Sequence, residues 1–229
     1  SNYGNMFSGS TAMDAAYNGT TGYGATPLST FFNQERSSTF TFSIPDAVQA
    51  LMIIPLFSGS YLSGNGTITW NTPAGPGTAT QITNGPRYIY TNDTGSVATV
   101  TVVVKMINNG HFSRFGGSWG VGQYLSSMST EDDATWGLGL NNSGTTGVLS
   151  FREAFLGCST LTSVPDEIPT SIINTSSMFD GATLFNQNIG SWYVSNVSDM
   201  NSMFRGASIF NQDISGWPTD TVSNMSNMF

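Results

Sequence analysis

Few side chains in this sequence are suited to nucleophilic or general-base chemistry. The chain contains one histidine, His111, and one cysteine, Cys158. Nucleophilic catalysis requires a general base, usually a histidine, beside the nucleophile. His111 lies in Asn-Gly-His-Phe, which indicates a loop or a strand end, and Cys158 takes an apolar position in the surrounding pattern. We therefore expect a histidine without a catalytic role and a small, buried, unreactive cysteine.

The one cluster of carboxylates is Glu131-Asp132-Asp133. Paired carboxylates hydrolyse glycosidic bonds when they face each other across the sugar, which neighbours in sequence rarely do. A solvated loop or an adventitious Ca²⁺ site suits the cluster better, although it lacks the alternating ligands of a calcium loop. The sequence contains no phosphate-binding glycine loop and no zinc-spaced Cys/His set. We predict no catalytic residue, no metal and no cofactor, and a glycoside hydrolase is the most distant alternative.

The composition argues against two classes of partner. The formal net charge is -8, and the six basic residues are scattered with no two adjacent. Nucleic acids and anionic lipids are bound by clustered cations, so neither is expected as a partner. The longest apolar run, 47–57, contains Gln49 and Pro55 and is too short to span a bilayer. We therefore predict no nucleic acid and no membrane insertion.

The balance of residue types favours an all-β fold. Charged residues make up 9% of the chain and aromatic residues 12%, while Ser, Thr, Asn and Gly are abundant. Hydroxyl and amide side chains favour turns and exposed strand faces over helices, and the aromatic content is too high for disorder.

A 25-residue repeat dominates the end of the sequence. When 178–200 is placed over 203–225, 12 of the 23 positions are identical. A degenerate earlier copy is visible at 154–158, followed by Leu161, Val164 and Ile168. One unit cannot enclose its own large apolar residues, whereas stacked units can, so the spacing predicts a solenoid. The predicted repeat core is Met178, Phe179, Phe185, Ile189, Trp192, Met203, Phe204, Phe210, Ile214 and Trp217.

Other recurring residues predict the geometry of each unit. Gly181 and Gly206 stand where a tight turn needs a positive φ. Asn186 and Asn211 recur where an inward side chain would bond the backbone of a neighbouring unit.

The repeat resembles that of the BspA-like leucine-rich-repeat surface proteins. The residues that carry the resemblance are Phe-Asn-Gln-Asp-Ile-Ser-Gly-Trp at 210–217, then Val222, Met225, Met228 and Phe229. The resemblance implies a leucine-rich-type solenoid, extracellular display, and adhesion to host or matrix proteins; related repeats occur in bacteriophage and large-virus proteins. Pro-Thr-Asp-Thr at 218–221 departs from the usual small polar linker, so we expect a different turn there.

Segments before the repeats predict strands. Residues 39–44 alternate apolar and polar side chains, and four further strands are predicted. These lie at 51–56, 67–70, 87–90 and 98–106, with turns between them such as 71–77 and 84–86. Five short strands with frequent turns predict a β-sandwich. Ile-Thr-Trp-Asn at 68–71, Tyr-Ile-Tyr at 88–90 and Gly95 resemble a polycystic-kidney-disease-type sandwich, which often precedes repeats in the BspA-like family, although its Trp-Gly-Asp-Gly turn is absent.

These observations predict four parts. They are an extended polar arm at 1–38 with Phe31-Phe32 as a docking point, a β-sandwich at 39–109, an irregular transition at 110–150 that caps the repeats and is anchored by Trp119 and Trp136, and repeats at 151–229 that continue beyond 229. Ser1–Gly9 resembles Ser223–Phe229. This similarity marks either a decayed repeat or chance.

Exposed positions that differ between repeats are the candidate ligand contacts. Asp180 faces Arg205 in the alignment, and Tyr193 faces Pro218, so Asp180, Tyr193 and Arg205 are predicted to bind ligand. Trp192 and Trp217 hold a fixed repeat position, which favours core packing over a sugar- or protein-binding ladder.

The predicted function is non-enzymatic recognition or adhesion. The chain would be extracellular, on a bacterial envelope or a virion, and would bind a protein or glycan of a host or neighbouring cell through its repeats. The alternative is a structural subunit of a capsid decoration, tail fibre or extracellular filament. Such a subunit would form homo-oligomers through its N-terminal arm, by adding a strand to a neighbour.

Overall fold

The computed structural model describes nine segments of the chain: 36–53, 56–58, 66–73, 75–79, 87–106, 112–115, 122–131, 136 and 150–229. The predictions for residues 1–35, His111, Trp119, Asp132 and Asp133 lie outside these segments. The described residues form nine strands and one 3₁₀ helix at Gly122–Tyr124, with no α-helix among them. The part of the chain that the structure describes is all-β, as predicted.

The strands form one large sheet and two small ones. The five-stranded sheet has the order β5-β4-β7-β1-β9, and β2-β6 and β3-β8 are separate two-stranded sheets; all of these pairs are antiparallel. The strands are β1 Arg36–Ile44, β2 Gln49–Ile53, β3 Leu56–Ser58, β4 Gly66–Thr72, β5 Gly75–Ala79, β6 Arg87–Thr91, β7 Ala98–Met106, β8 Phe112–Phe115 and β9 Leu125–Thr130.

The buried face of the large sheet follows the predicted alternation. Phe40, Phe42 and Ile44 on β1 are fully buried and lie opposite Val102, Val100 and Ala98 of β7. Side chains alternate between the two faces of a strand, so this register places all six on the same side.

Three strands lie where the sequence indicated turns or irregular chain. β5 begins at Gly75, inside the predicted turn 71–77, and the 110–150 segment contains β8 and β9, so both predictions are wrong there. The sequence of β5, Gly-Pro-Gly-Thr-Ala, does not indicate a strand, because glycine and proline are unfavourable inside a sheet. β5 lies at the edge of the sheet, where these residues are tolerated. A register shift between Thr41 and Phe42 places the buried Leu125 and Met128 three residues apart, so β9 shows no alternation of period two. The predicted arm also ends early, because β1 begins at Arg36.

No helix among the described residues is both long enough and apolar enough to cross a membrane.

The 25-residue units lie side by side and are joined by backbone hydrogen bonds. Parallel bridges connect Ser150, Asn174, Asp199 and Asn224 in sequence, and these residues define a first repeat (150–173), second (174–198), third (199–223) and fourth (224–229). From the second to the third repeat, the N–H groups of Thr175, Ser177, Phe179 and Gly181 donate to the carbonyls 24 positions later, over 2.8–2.9 Å. The same ladder joins the first repeat to the second and the third to the fourth.

Aromatic side chains line up between the repeats. Phe155, Phe179, Phe204 and Phe229 stack with successive ring-centroid distances of 5.6, 5.6 and 5.8 Å. Of the ten predicted repeat-core residues, eight are buried and two, Phe210 and Ile214, are half-buried against the same core. In the predicted degenerate copy, Ala154, Cys158, Leu161, Val164 and Ile168 are buried as well.

Each repeat turns at two residues with positive φ. Gly181 and Gly206 have φ of 74° and 70°, as predicted. The residues four positions before them, Ser177 and Ser202, also have positive φ (53° and 54°), and Asn227 repeats this at 53°. The sequence reasoning missed these positions, because serine gives little signal for a left-handed backbone.

The turn at 218–221 does not differ from its counterpart. The N–H of Val222 donates to the carbonyl of Thr219 over 3.0 Å, just as Val197 donates to Val194 over 2.9 Å. The expectation of a different turn is therefore wrong: Pro218 precedes the hydrogen-bonded residues and needs no N–H of its own.

The large sheet joins the first repeat through β9 and Trp136. Ser127 of β9 forms a parallel bridge with Ser163. The fully buried Trp136 packs 4.4 Å from Phe151 and donates its indole N–H to the carbonyl of Glu167 over 2.6 Å. The hydroxyl of Ser38 on β1 donates to the carbonyl of Trp136, so Trp136 contacts both the sheet and the first repeat.

Gly190→Ala is expected to destabilise the protein. A Cβ on Gly190 would lie 2.6 Å from the carbonyl oxygen of Asp213 in the next repeat, so the backbone must shift. Overpacking of this kind costs about 1–3 kcal/mol of unfolding free energy, which chemical denaturation followed by tryptophan fluorescence would measure. Gly216→Ala is the matched control, because nothing lies within 4 Å of its added Cβ. Equal losses in both variants would contradict this account.

Asp213 is expected to titrate below the ordinary range for an aspartate. Its pKa is lowered by the hydroxyl of Ser215 and by the Ser215 backbone N–H, which donates over 2.9 Å. A lowered folded-state pKa stabilises the protein above the unfolded-state pKa, about 3.9, and this contribution is lost as the pH falls through the folded-state value. Ser215→Ala should raise the pKa part of the way back, because the N–H remains. Carboxyl ¹³C NMR titration measures this, and Ser215→Thr, which keeps the hydroxyl, should not raise the pKa as far.

Candidate functional site

A surface hollow lies where the first and second repeats meet. It has a volume of about 360 Å³ and is lined by Asp166, Glu167, Ile168, Thr170, Ser191 and Tyr193. Tyr193 is 53% exposed, whereas its neighbours Trp192 and Val194 are buried. The two buried neighbours fix the chain on either side and direct the Tyr193 side chain outward, as predicted for an exposed repeat position.

A difference in repeat length accompanies the hollow. Phe185 and Val197 of the second repeat are 12 positions apart, while their counterparts Leu161 and Ile172 are 11 apart. The equivalence rests on matching turns: Phe185 donates to Ala182 as Leu161 does to Cys158, and Val197 donates to Val194 as Ile172 does to Pro169. The second repeat therefore has one residue more than the first in the segment that contains Tyr193.

Hydrogen bonds from other segments fix the walls of the hollow. Gln187 makes a paired contact with the backbone of Val164, accepting from its N–H over 2.7 Å and donating to its carbonyl over 2.9 Å, and it also reaches the Asp166 carboxylate over 3.0 Å. The Thr170 carbonyl accepts from the Asn196 side chain over 2.7 Å. Side chains that bond the backbone in this way hold a surface in one shape.

The lining is acidic and aromatic, with hydroxyl groups at its edge. Asp166 and Glu167 supply two carboxylates, Thr170 and Ser191 supply hydroxyls, and Tyr193 supplies an aromatic face. No lysine or arginine is among the described residues that line the hollow. A cation is attracted both to carboxylates and to an aromatic face, so this set of groups suits an ammonium or guanidinium group.

A second hollow adjoins the first through Asp166. It has a volume of about 270 Å³ and is lined by Met128, Ser129, Thr130, Ser163, Val164, Pro165 and Asp166. It extends the polar surface from the first repeat onto β9.

Asp180 and Arg205 form an ion pair between neighbouring repeats. The guanidinium of Arg205 donates through Nε and Nη2 to the two carboxylate oxygens of Asp180, over 3.2 and 2.5 Å. Asp180 is only 7% exposed, so the expectation that it lies open to ligand is wrong. The physical reason is its place one residue after the stacked Phe179, which holds it between the repeats. Arg205 is exposed, and its pKa is raised by the hydrogen bond and charge of Asp180.

The other candidate residues lie in the core or apart from the hollow. Trp192 and Trp217 are buried, as predicted; the Trp217 indole N–H donates to the Ile189 carbonyl over 3.2 Å, and that of Trp192 is buried with no partner among the described residues. Cys158 is buried, as predicted, and burial raises the pKa of its thiol. Glu131 is exposed. The described residues contain no group of three or more His, Cys, Asp or Glu that could hold a metal ion.

Asn186 matches its prediction in part. Its side-chain oxygen accepts from the Asn211 N–H over 2.8 Å and from Gln212 over 3.0 Å, so it does bond the neighbouring repeat. It is exposed rather than inward, however.

Sequence reasoning missed two features of this surface. Asp166 and Glu167 line the hollow from the degenerate first repeat, where the pattern is too weak to align side chains one by one. Leu184 and Ile209, 25 positions apart, are apolar and each 48% exposed. The two residues take the same position in successive repeats. Their residue type changes from one repeat to the next, whereas core positions keep one type, and this difference could have indicated exposure.

The Asp180–Arg205 pair is expected to couple the second and third repeats. A double-mutant cycle of Asp180→Asn and Arg205→Gln should give a favourable interaction energy that falls as salt is added, because Arg205 is open to solvent. Thermal unfolding of the four proteins at two salt concentrations measures it. If the effects of the two substitutions on the unfolding free energy are additive at low salt, the ion pair does not couple the two repeats.

Comparison with known proteins relates only the repeats to a family. Residues 147–229 match the model of a family described as Mycoplasma protein of unknown function, DUF285. The match covers about a third of the chain and begins three residues before Ser150, where the bridged repeats begin. No curated protein and no solved structure matches the chain.

Proposed function

We propose that this chain is a non-enzymatic recognition protein of an extracellular surface, which binds its ligand through the side of its repeats. The exposed Tyr193 in an acidic hollow with a fixed shape carries the proposal. An exposed aromatic ring beside convergent polar groups is the usual composition of an anchoring pocket.

In this proposal the architecture is a β-sandwich followed by a leucine-rich-type solenoid of the BspA-like kind. The hydrogen-bond ladder between residues 24 positions apart supports stacked units of one kind, as does the column of phenylalanines. The resemblance of 210–229 to BspA-like repeats supports display on a bacterial envelope or a virion. The scarcity of charged residues, 9%, is in keeping with that setting.

The ligand we infer is a basic side chain of a protein on a host or neighbouring cell. Asp166 and Glu167 would pair with its charge, while the Tyr193 ring would cover the cation from one side. The net charge of -8 would speed the approach of such a partner. A neutral glycan would use the hydroxyls and the ring but would gain nothing from the two carboxylates.

Tyr193→Ala is expected to abolish selection of basic peptides. A random peptide display library panned against the 229-residue chain should enrich lysine or arginine at one position. Loss of an aromatic hot spot costs about 2 kcal/mol or more, roughly a thirtyfold loss of affinity, so the same peptides should not bind Tyr193→Ala. Pro218→Ala, at the equivalent exposed position of the third repeat, is the matched control and should bind as the unaltered chain does.

Charge variants separate the two ligand classes. Asp166→Asn with Glu167→Gln should weaken basic peptides and remove most of the salt dependence of their binding. Two outcomes would favour a glycan over a protein ligand. In the first, the enriched peptides contain no basic residues. In the second, the chain binds neutral glycans, Tyr193→Ala abolishes that binding, and the charge variants leave it unchanged. Equal binding by all variants would show that the hollow is not the site.

A further inference from the structure

In the second and third repeats, the stacked phenylalanine of the core packs against a tryptophan of the same repeat. The ring centroids of Phe179 and Trp192 are 6.0 Å apart, and the interplanar angle is 34°. Those of Phe204 and Trp217 are 6.3 Å apart at an angle of 32°. Because the two contacts are almost the same, this phenylalanine–tryptophan pair is a fixed part of the repeat.

The first repeat has the phenylalanine but no tryptophan of its own. Phe155 occupies the corresponding place in the stack of phenylalanines, and the sequence of 150–173 contains no tryptophan. Counted from the matched turns on either side, the counterpart of Trp192 is Glu167 or Ile168. The place of the tryptophan ring in the first repeat must therefore be filled by another part of the chain or left empty.

Trp136, which precedes the repeats in sequence, fills this place. Its ring centroid lies 6.1 Å from that of Phe155 at an angle of 38°, close to the values of the two later repeats. It also lies 6.0 Å from the ring of Trp192, which it meets edge to face. Trp136 is fully buried. A residue from outside the first repeat thus completes the aromatic core of that repeat.

The backbone of Trp136 has an unfavourable conformation. Its φ is 53°, a value that is rare for a bulky side chain. Such a conformation raises the free energy and persists only where the surrounding structure fixes it. Here the hydroxyl of Ser38 on β1 donates to the Trp136 carbonyl, and the ring packs against Phe151 and Phe155. The contacts of the ring and of the carbonyl therefore outweigh the strain of the backbone.

The hydrogen bonds of the indole N–H groups also single out Trp136. In the third repeat, the N–H of Trp217 donates to the carbonyl of Ile189 in the repeat before it. In the second repeat, the N–H of Trp192 is buried and has no partner among the described residues. The first repeat accepts its indole N–H from Trp136, at the carbonyl of Glu167. It therefore receives from outside the repeats a bond that the third repeat makes to the second.

This bond fixes one wall of the acidic hollow. Glu167 is exposed and lines the hollow, while its carbonyl is bonded from the interior over 2.6 Å. The carbonyl and the carboxylate belong to the same residue, so a bond that fixes the peptide group also limits the directions in which the side chain can point. Asp166 beside it is held by Gln187. The two carboxylates of the hollow are thus positioned by different parts of the chain.

We propose that Trp136 serves as the tryptophan of the first repeat and is a positioning residue for ligand binding in the hollow. It is buried and does not contact the ligand; it holds Glu167 so that the carboxylate faces the same cation as Asp166 and Tyr193. The segment that matches the family model, 147–229, does not include this tryptophan, so the hollow depends on a residue outside that segment. The positioning role rests on the proposed function, whereas the bond to Glu167 can be tested without a ligand.

Three variants of the 229-residue chain test the hydrogen bond. Trp136→Phe keeps a ring and removes the N–H that Glu167 accepts. Trp217→Phe removes the corresponding bond of the third repeat, and Trp192→Phe removes an N–H that has no partner in the part of the chain that the structure describes. The carbonyl ¹³C resonance of Glu167 should shift most in Trp136→Phe. Chemical denaturation followed by circular dichroism should show the smallest loss of stability in Trp192→Phe, because it loses no hydrogen bond.

Binding of a small basic probe separates positioning from folding. The probe is the peptide acetyl-Gly-Arg-Gly-amide, and acetyl-Gly-Gln-Gly-amide is its neutral control; each is titrated by NMR against the unaltered chain and the variants. Trp136→Phe should bind the arginine peptide about threefold to tenfold more weakly, the effect of losing one hydrogen bond. Trp217→Phe, which loses a bond of the same kind away from the hollow, should bind it as the unaltered chain does.

The outcomes distinguish this inference from the proposed function. If the unaltered chain does not bind the arginine peptide, the proposed ligand is wrong and the positioning role falls with it, while a Glu167 shift in Trp136→Phe would still support the bond. If the chain binds but Trp136→Phe binds equally well, or Trp217→Phe loses as much, the positioning role is overturned. A Glu167 shift no larger than that in Trp192→Phe would overturn the assignment of Trp136 to the first repeat.

Discussion

The structure of the last third of the chain depends on one rule of backbone pairing. Every second N–H at 175–181 donates to the next repeat, while Met178, Asp180 and Ala182 donate within their own repeat, to carbonyls three positions back. Successive backbone N–H groups therefore donate alternately to the next repeat and to their own repeat, and the repeats contain almost no extended strand. Short turns alone would leave half of these groups unpaired in a buried core, which is costly. The ladder also sets the ring spacing of 5.6–5.8 Å in the phenylalanine column.

The repeats were predictable from sequence because each buried role uses the same residue type every time. Phe179 and Phe204 can be identified as core without a structure, since identity at a fixed interval has no other simple cause. The positive φ of Ser177 and Ser202 was not predictable, because only tertiary bonds hold an ordinary side chain there. The same holds for β9, where a bulge removes the alternation that marks a strand. Asp180 shows the converse limit: variation between repeats indicated exposure, but its place after the stacked Phe179 holds it between the repeats, where Arg205 pairs with its charge.

The candidate site was only half visible for a related reason. Tyr193 could be selected from its variation between repeats. Asp166 and Glu167 could not, since their contribution depends on how a degenerate repeat lies against a regular one. Trp136 adds a further contact from outside the repeats, holding the carbonyl of Glu167 while its ring packs against Phe151. The hollow is therefore a product of the join between the sheet and the repeats as much as of the repeats themselves.

The single residue by which the second repeat exceeds the first has a consequence for how such proteins diversify. The ladder lies in one segment of each repeat, and the length difference lies in another, between Phe185 and Val197. A codon gained or lost in that second segment changes the surface while the ladder stays in register. New hollows can therefore arise between any two repeats by small length changes, without the loss of stability that usually accompanies insertion into a packed core. In this architecture, new binding surfaces would arise first from changes in loop length and only then from substitutions of side chains.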